Sequence, residues 1–215
     1  MTLQTIDKSK LALQRNILLY QLYKRNKLKW LQDIVKTFDE HDDDHPIKSF
    51  PIEPYVPFII KEFEEQSILH IAKSRQMSVS WLMMALLLHT AQFTPYRLIA
   101  VFSKKEKDAH EMVERAKFMY SQQPQWLKDL CPLDRKLKDL SFGFIAFAHG
   151  SKLSGFAEGP DQVRGYVPTI SFLDEAAKQD KLEETYGACV PCSKKIVTVS
   201  SADVSYFEKM VELVV

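Results

Sequence analysis

In the N-terminal part of the chain, apolar residues recur at helical spacing, at Leu11, Ile17, Leu18, Leu22, Leu31, Ile34, Val35 and Phe38, with Lys24, Arg25, Lys27 and Lys29 interleaved. This pattern predicts one long or two short amphipathic helices. The run DEHDDDHP, residues 39–46, interrupts it. Its like charges repel and its proline ends it, so it reads as an exposed linker. Beyond the linker, β-rich runs alternate with helical ones. SILHIA reads as a strand, VSWLMMALLLHTA as a helix, RLIAVFS as a strand, and KEKDAHEMVERAKFMYSQ as a helix. Strands follow around FGFIAFAHG, then TISFLD and KKIVTVSS, with a last helical stretch after them. Strands separated by helices predict an α/β fold with a mostly parallel sheet covered on both faces. The expected division is an N-terminal helical segment and acidic linker over residues 1–45 and a core over residues 46–215.

With 215 residues, 46% of them hydrophobic and 27% charged, the chain has enough material for one globular core. The 29 basic and 28 acidic residues leave a formal charge of +1, so the bulk balance requires no polyanionic partner and any such partner must be met by local patches. No signal peptide is visible, and the longest apolar run, Trp81 to Leu88, is too short to span a bilayer, so a soluble, intracellular chain is expected. Of the three cysteines, Cys189 and Cys192 form a CxxC, but Cys131 alone cannot complete four thiolates, so buried or half-buried free thiols are expected.

The candidate chemistry begins with KSRQMSVS, residues 73–80, which joins a predicted strand to a predicted helix. A phosphate-binding loop of the form GxxxxGK[ST] needs convergent backbone N–H groups, a lysine reaching the phosphates, and a hydroxyl on Mg²⁺. With Ser80 in the last place, Ser78 falls on the second glycine, Val79 on the lysine and Lys73 on the first glycine. All six glycines of the chain lie between Gly143 and Gly187, so Ser78 must take the backbone geometry usually left to glycine. Lys73 stands at the mouth of the loop, from where its four-carbon stem can swing the ammonium over the phosphates. Ser80 keeps a hydroxyl at the start of the helix, where the dipole favours an anion.

A second segment, TISFLDEAA, delivers Asp174 and Glu175 at the C-terminal end of a strand, where ligands bind in open α/β sheets. Asp174 would hold Mg²⁺, and Glu175 would orient or deprotonate an attacking water. A third, TVSSAD, is a β-rich run ending in small hydroxylated residues, as expected beside a γ-phosphate. Each has a plainer reading taken alone: a strand–turn–helix, an acidic helix start, and a serine-rich turn. Their order along the chain is the one required by a RecA-like (ASCE) P-loop ATPase, with a Walker A-type loop, a Walker B-type acidic strand and a third strand that senses hydrolysis.

With these segments in place, the sequence from about Ile52 onward resembles the ATPase domain of the large terminase subunit of tailed bacteriophages. SRQMSVS is similar to that family's SRQ-type phosphate loop, and VRGYVPTISFLDEAA, residues 163–177, to its acidic strand. The resemblance implies ATP and Mg²⁺ as cofactors, with Ser74, Arg75, Gln76, Met77, Ser78, Val79 and Ser80 cradling the nucleotide. It implies that Arg75 moves toward the γ-phosphate and that Arg164 is supplied to a neighbouring subunit's site. Ser200, Ser201 and Ala202 would couple hydrolysis to DNA movement. IEPYVPFII lies where the family places its adenine-binding segment; Val56 stands where the family carries a glutamine, and Tyr55 is left to stack on the base.

The implied partners are double-stranded DNA, met through its backbone, the portal protein and the small terminase subunit. An oligomeric ring at the prohead portal in the host bacterial cytoplasm is also implied. KRNKLKW and SKKEKD are the candidate DNA-contacting runs. The family's nuclease domain is not expected in a chain that stops at Val215. Two other readings stay open: a helicase-type DNA-dependent ATPase, and a degenerate nucleotide-binding or structural packaging module.

Overall fold

The computed structural model describes residues 8–39, 42–74, 77–135, 142–201 and 206–212. The N-terminal pattern resolves into two helices, α1 (Lys8–Arg25) and α2 (Lys27–Ile34), with the break at Asn26, whose side chain caps α2 by accepting from the Lys29 N–H at 2.8 Å. Trp30, Leu31 and Ile34 face inward from α2. Phe38 leaves the helical pattern. It lies in a three-residue strand, β1 (Lys36–Phe38), that pairs antiparallel with β2 (Ile47–Ser49). The acidic run lies between these two strands, and Lys48 binds Asp39 and Asp42 at 2.6 and 3.0 Å. Strands this short carry no periodicity for a sequence to reveal.

The order then runs α3 (Tyr55–Glu65), β3 (Ile68–Lys73), α4 (Val79–Phe93), β4 (Leu98–Ser103), α5 (Glu106–Ser121) and α6 (Gln125–Leu130). It continues through β5 (Phe144–Ala146), β6 (Lys152–Ala157), α7 (Pro160–Tyr166), β7 (Ile170–Asp174), α8 (Leu182–Cys189), β8 (Lys195–Ser201) and α9 (Tyr206–Glu212). Six strands form one sheet in the order β3-β8-β7-β4-β6-β5, parallel except for the β5–β6 pair at its edge. The sequence reading placed strands around FGFIAFAHG and passed over β6. That strand reads KLSGFA, with a serine and a glycine where branched residues would signal β structure. Gly155 is required there, because a Cβ would lie 2.8 Å from the backbone of Ala109 on α5.

Alternate residues of the central strands feed two cores, one on each face. Ile99, Val101, Ile170, Phe172, Val197 and Val199 point toward the core around α4 and α5, whereas Ala100, Phe102, Leu173 and Ile196 join Val163, Leu182 and Phe207 on the other face. α4 is apolar on nearly every side and buried accordingly. The N-terminal helices share its core. Trp30 meets His89 and Phe93 edge-on at 5.1 and 6.3 Å, and the His89 ring nitrogen bonds the Tyr23 carbonyl at 2.9 Å. Burial holds that imidazole down to about 3, so it stays neutral. Among the described residues no helix is long and apolar enough to cross a membrane. Cys131 and Cys189 are buried free thiols pushed up to about 11 by burial, and Cys192 is a half-buried one.

Candidate active site

β3 ends in Lys73 and the chain turns into α4 through Ser78, which takes φ 50°, ψ 15° in the left-handed region. A side chain there is strained, and this is the geometry a glycine-less turn has to accept. No side chain caps α4 at this end, and its first ladder bond is Leu82 N–H to the Ser78 carbonyl at 3.0 Å. The N–H groups of the first turn therefore face the loop as anion donors. Val79, at the usual lysine position, is only 1% exposed and belongs to the core. It offers a ligand its backbone and no charge. Ser74 and Ser78 are exposed, and Met77 is half-buried. The Tyr55 hydroxyl, from α3, donates to the Met77 carbonyl and tethers the loop from outside.

β8 lies between β3 and β7, so the loop strand and the acidic strand are second neighbours, and their side chains meet across the sheet's C-terminal end. The Ser80 hydroxyl donates to Asp174 Oδ1 at 3.0 Å, and Lys73 Nζ stands 3.1 Å from Glu175 Oε1. Lys178 holds the other Glu175 oxygen at 3.0 Å. Asp174 is 7% exposed, and burial pushes its carboxyl above the ordinary range, with Glu175's charge adding to the rise and the Ser80 hydrogen bond opposing it. Burial also pushes Glu175 upward, but the ammonium groups of Lys178 and Lys73 outweigh it and hold this carboxyl below its usual value. Two adjacent carboxylates are thus pushed apart, one costly to ionise and one kept ionised.

The segment after the acidic pair is held tightly. Glu175 has φ 47°, ψ 44°, and a 3₁₀ turn (Ala176–Lys178) follows. The hydroxyl of the fully buried Ser200, on β8, accepts from the Ala177 N–H at 3.0 Å, and Gln179 donates to the Asp174 carbonyl at 2.9 Å. Ser201 stands opposite Lys73 in the β3–β8 register. Of the expected site residues, Arg75, Gln76 and Ala202 lie outside the described residues. Arg164, on α7, is 69% exposed, pairs with Asp161 at 3.4 Å, and is not drawn into this cluster. Lys178, Gln179 and Arg115 join the site without having been expected. Lys178 and Gln179 follow directly on DEAA and were within reach of a closer reading, whereas a single arginine on the amphipathic α5 carries no signal.

Lys73, Ser78, Ser80, Trp81, Asp174 and Glu175 are among the residues lining a cleft of about 420 Å³, whose wall Arg115 completes. A larger cavity of about 720 Å³, between α5, α6 and β5, has Tyr120, Gln125, Asp129 and Phe144 on its walls and no paired carboxylates. The paired carboxylates line the smaller one. Ser80 and Asp174 offer only oxygens, which suits a hard divalent cation such as Mg²⁺, and a cation would relieve the cost of Asp174's buried charge. Among the described residues no cluster of three or more His, Cys, Asp or Glu forms a metal cage, so phosphate and water oxygens would complete the shell.

A strand-loop-helix and an acidic strand, separated in a parallel sheet by the strand bearing paired serines, give a RecA-like α/β fold. No protein-family model matches the sequence, and no curated protein sequence matches it. In structure the chain is similar to the large terminase of HK97 bacteriophage, with a TM-score of 0.62 at 12% identity over 83% of this chain and 37% of that one. It is also similar to the large terminase ATPase domain of Thermus phage P74-26, with a TM-score of 0.52 at 10% identity over 74% of this chain and 69% of that one. A large terminase from a thermophilic bacteriophage gives a TM-score of 0.50 at 11% identity over 70% of this chain and 39% of that one. The chain thus has the fold of phage large terminase ATPase domains, and it spans little more than a third of the HK97 protein's length.

Proposed function

We propose that this chain is the ATP-hydrolysing motor domain of a large terminase subunit, driving double-stranded DNA into a phage prohead. The observation that carries the reading is the pairing of Ser80 with Asp174 and Lys73 with Glu175 across β8, in a fold shared with terminase ATPase domains. Mg²⁺ held by Ser80 and Asp174 would neutralise charge on the phosphate oxygens of ATP. Lys73 takes the phosphate-binding role that Val79 cannot fill. A phosphate competing for the Lys73 ammonium would loosen its hold on Glu175 Oε1, and that oxygen would then orient the attacking water and accept its proton while Lys178 keeps the other oxygen in place. Arg75 would move toward the γ-phosphate. The Ser200 hydroxyl, bonded to the backbone just after Glu175, supports a role for residues 200–202 in transmitting the change.

The exposure of Arg164 supports its delivery to a neighbouring subunit in a ring on the portal, with the small terminase subunit as a further partner in the host cytoplasm. Tyr55 lies beside the loop, and its tether to Met77 supports a place near the base. The experiment is phosphate release measured with and without double-stranded DNA, alongside ATP binding, for wild type and Glu175→Gln. The variant is expected to bind ATP normally and to lose turnover by on the order of 10²-fold or more. Unchanged phosphate release in Glu175→Gln removes the hydrolytic reading and leaves a structural module.

A further inference from the structure

Among the described residues, two cations face the loop cleft, and they are held in different ways. Lys73 is neutralised by Glu175 at 3.1 Å. Arg115, half-buried on α5, makes no salt bridge among the described residues: its guanidinium lies 5.3 Å over the Trp81 ring and donates to Met112 Sδ at 3.3 Å. Trp81 sits in the first turn of α4, directly after Ser80, and is itself braced edge-on by Phe118 at 6.3 Å. The guanidinium is therefore held beside the first turn of α4 by an aromatic face, a placement that a flexible ammonium would not keep. Arg115 also stands where the loop cleft meets an adjoining cleft lined by Lys104, Asp108, Glu111 and Lys178, so that it faces Asp174 and Glu175 from both.

We propose that Arg115 is a specificity-determining contact, supplied by the same chain, for the terminal phosphate of a bound nucleoside triphosphate. A planar fork without a carboxylate of its own is suited to two parallel bonds to phosphate oxygens. The cleft has particular need of it, because Val79 brings no charge and Lys73 must be shared with Glu175. A diphosphate leaves the terminal position empty and gains nothing from the fork. This inference rests on the nucleotide-binding reading of the site.

The test is calorimetric titration of the full chain with ATP and with ADP, each with Mg²⁺, for wild type, Arg115→Gln and Arg115→Lys, with thermal melting as the check on folding. Arg115→Gln is expected to lose roughly tenfold or more in affinity for the triphosphate while its affinity for the diphosphate stays within about twofold, with Arg115→Lys between the two. An equal loss for both nucleotides assigns Arg115 to packing against Trp81 and overturns the proposal, as does an unchanged ratio. If wild type binds neither nucleotide, the reading of the site itself fails, a result distinct from binding without discrimination.

Discussion

The two halves of the site are built in contrasting ways. At the acidic end, the carboxylates and the backbone after them are tied down: Asp174 by the Ser80 hydroxyl, its carbonyl by Gln179, Glu175 by Lys73 and Lys178, and the following backbone by Ser200. At the loop end, the described residues between β3 and α4 have few ties. Ser74 and Ser78 are exposed, Ser78 carries left-handed strain, and the Tyr55 hydroxyl reaches in to hold Met77. Behind each half stands a rigid element, β7 buried along its whole length and α4 buried on nearly all sides. The difference is therefore local to the loop. On the proposed reading, the acidic end holds Asp174 and Glu175 in place before a nucleotide arrives, while the loop's described N–H groups would be arranged by the phosphates themselves.

The largest way to break this contrast is to remove the loop's charge. Lys73→Ala is expected to lower ATP turnover by on the order of 10²-fold or more, because no cation at Val79 can replace it. The control, Val79→Ala, is expected to keep turnover per folded molecule but to lose about 1–2 kcal/mol of stability, since the structure places this side chain in the core. Equal effects on turnover from both would show that Lys73 does not hold the phosphates.

A smaller effect is expected at the acidic end, where a buried charge costs stability. Burial raises the Asp174 carboxyl above its ordinary value, so its contribution to stability is full below the ordinary carboxylate range and is lost as pH rises through the raised value. Asp174→Asn is therefore expected to raise the melting temperature near neutral pH by about 2–4 °C, with the gain shrinking towards pH 4. Mg²⁺ with nucleotide should stabilise the wild type and not the variant. A variant that melts lower than wild type at neutral pH would contradict the view of Asp174 as a buried charge awaiting a cation.

The smallest effect sharpens the loop side. Ser78→Gly relieves the left-handed strain but loosens the unfolded chain, and the second term partly offsets the first, leaving a gain of roughly 0.5–1 kcal/mol in denaturant titration. A loss would mean that the Ser78 side chain contributes more than its backbone strain costs.

Much of the fold was legible because each central strand and each long helix carries its own period. SILHIA, VSWLMMALLLHTA, RLIAVFS, TISFLD and KKIVTVSS all fall on the elements the structure shows. The exceptions have local causes. β6 is built from Lys152, Ser154 and Gly155 where branched residues would have marked it, and β1 and β2 are three residues each. Within the site, Lys73, Ser80, Asp174 and Glu175 were visible because the residue types and their order match a known chemistry. Arg115 was not, since its place at the cleft depends on the packing of α5 against Trp81.

Local sequence was therefore sufficient for the central strands and long helices, the two-faced sheet and the left-handed burden on Ser78, because propensity and periodicity act within a few residues of one another. Only the folded chain could insert β8 between β3 and β7, bring Ser80 to Asp174 and Lys73 to Glu175, and bury Val79 away from any ligand. Those contacts join residues about a hundred positions apart, and distance along the chain carries no record of which side chains a sheet will set face to face.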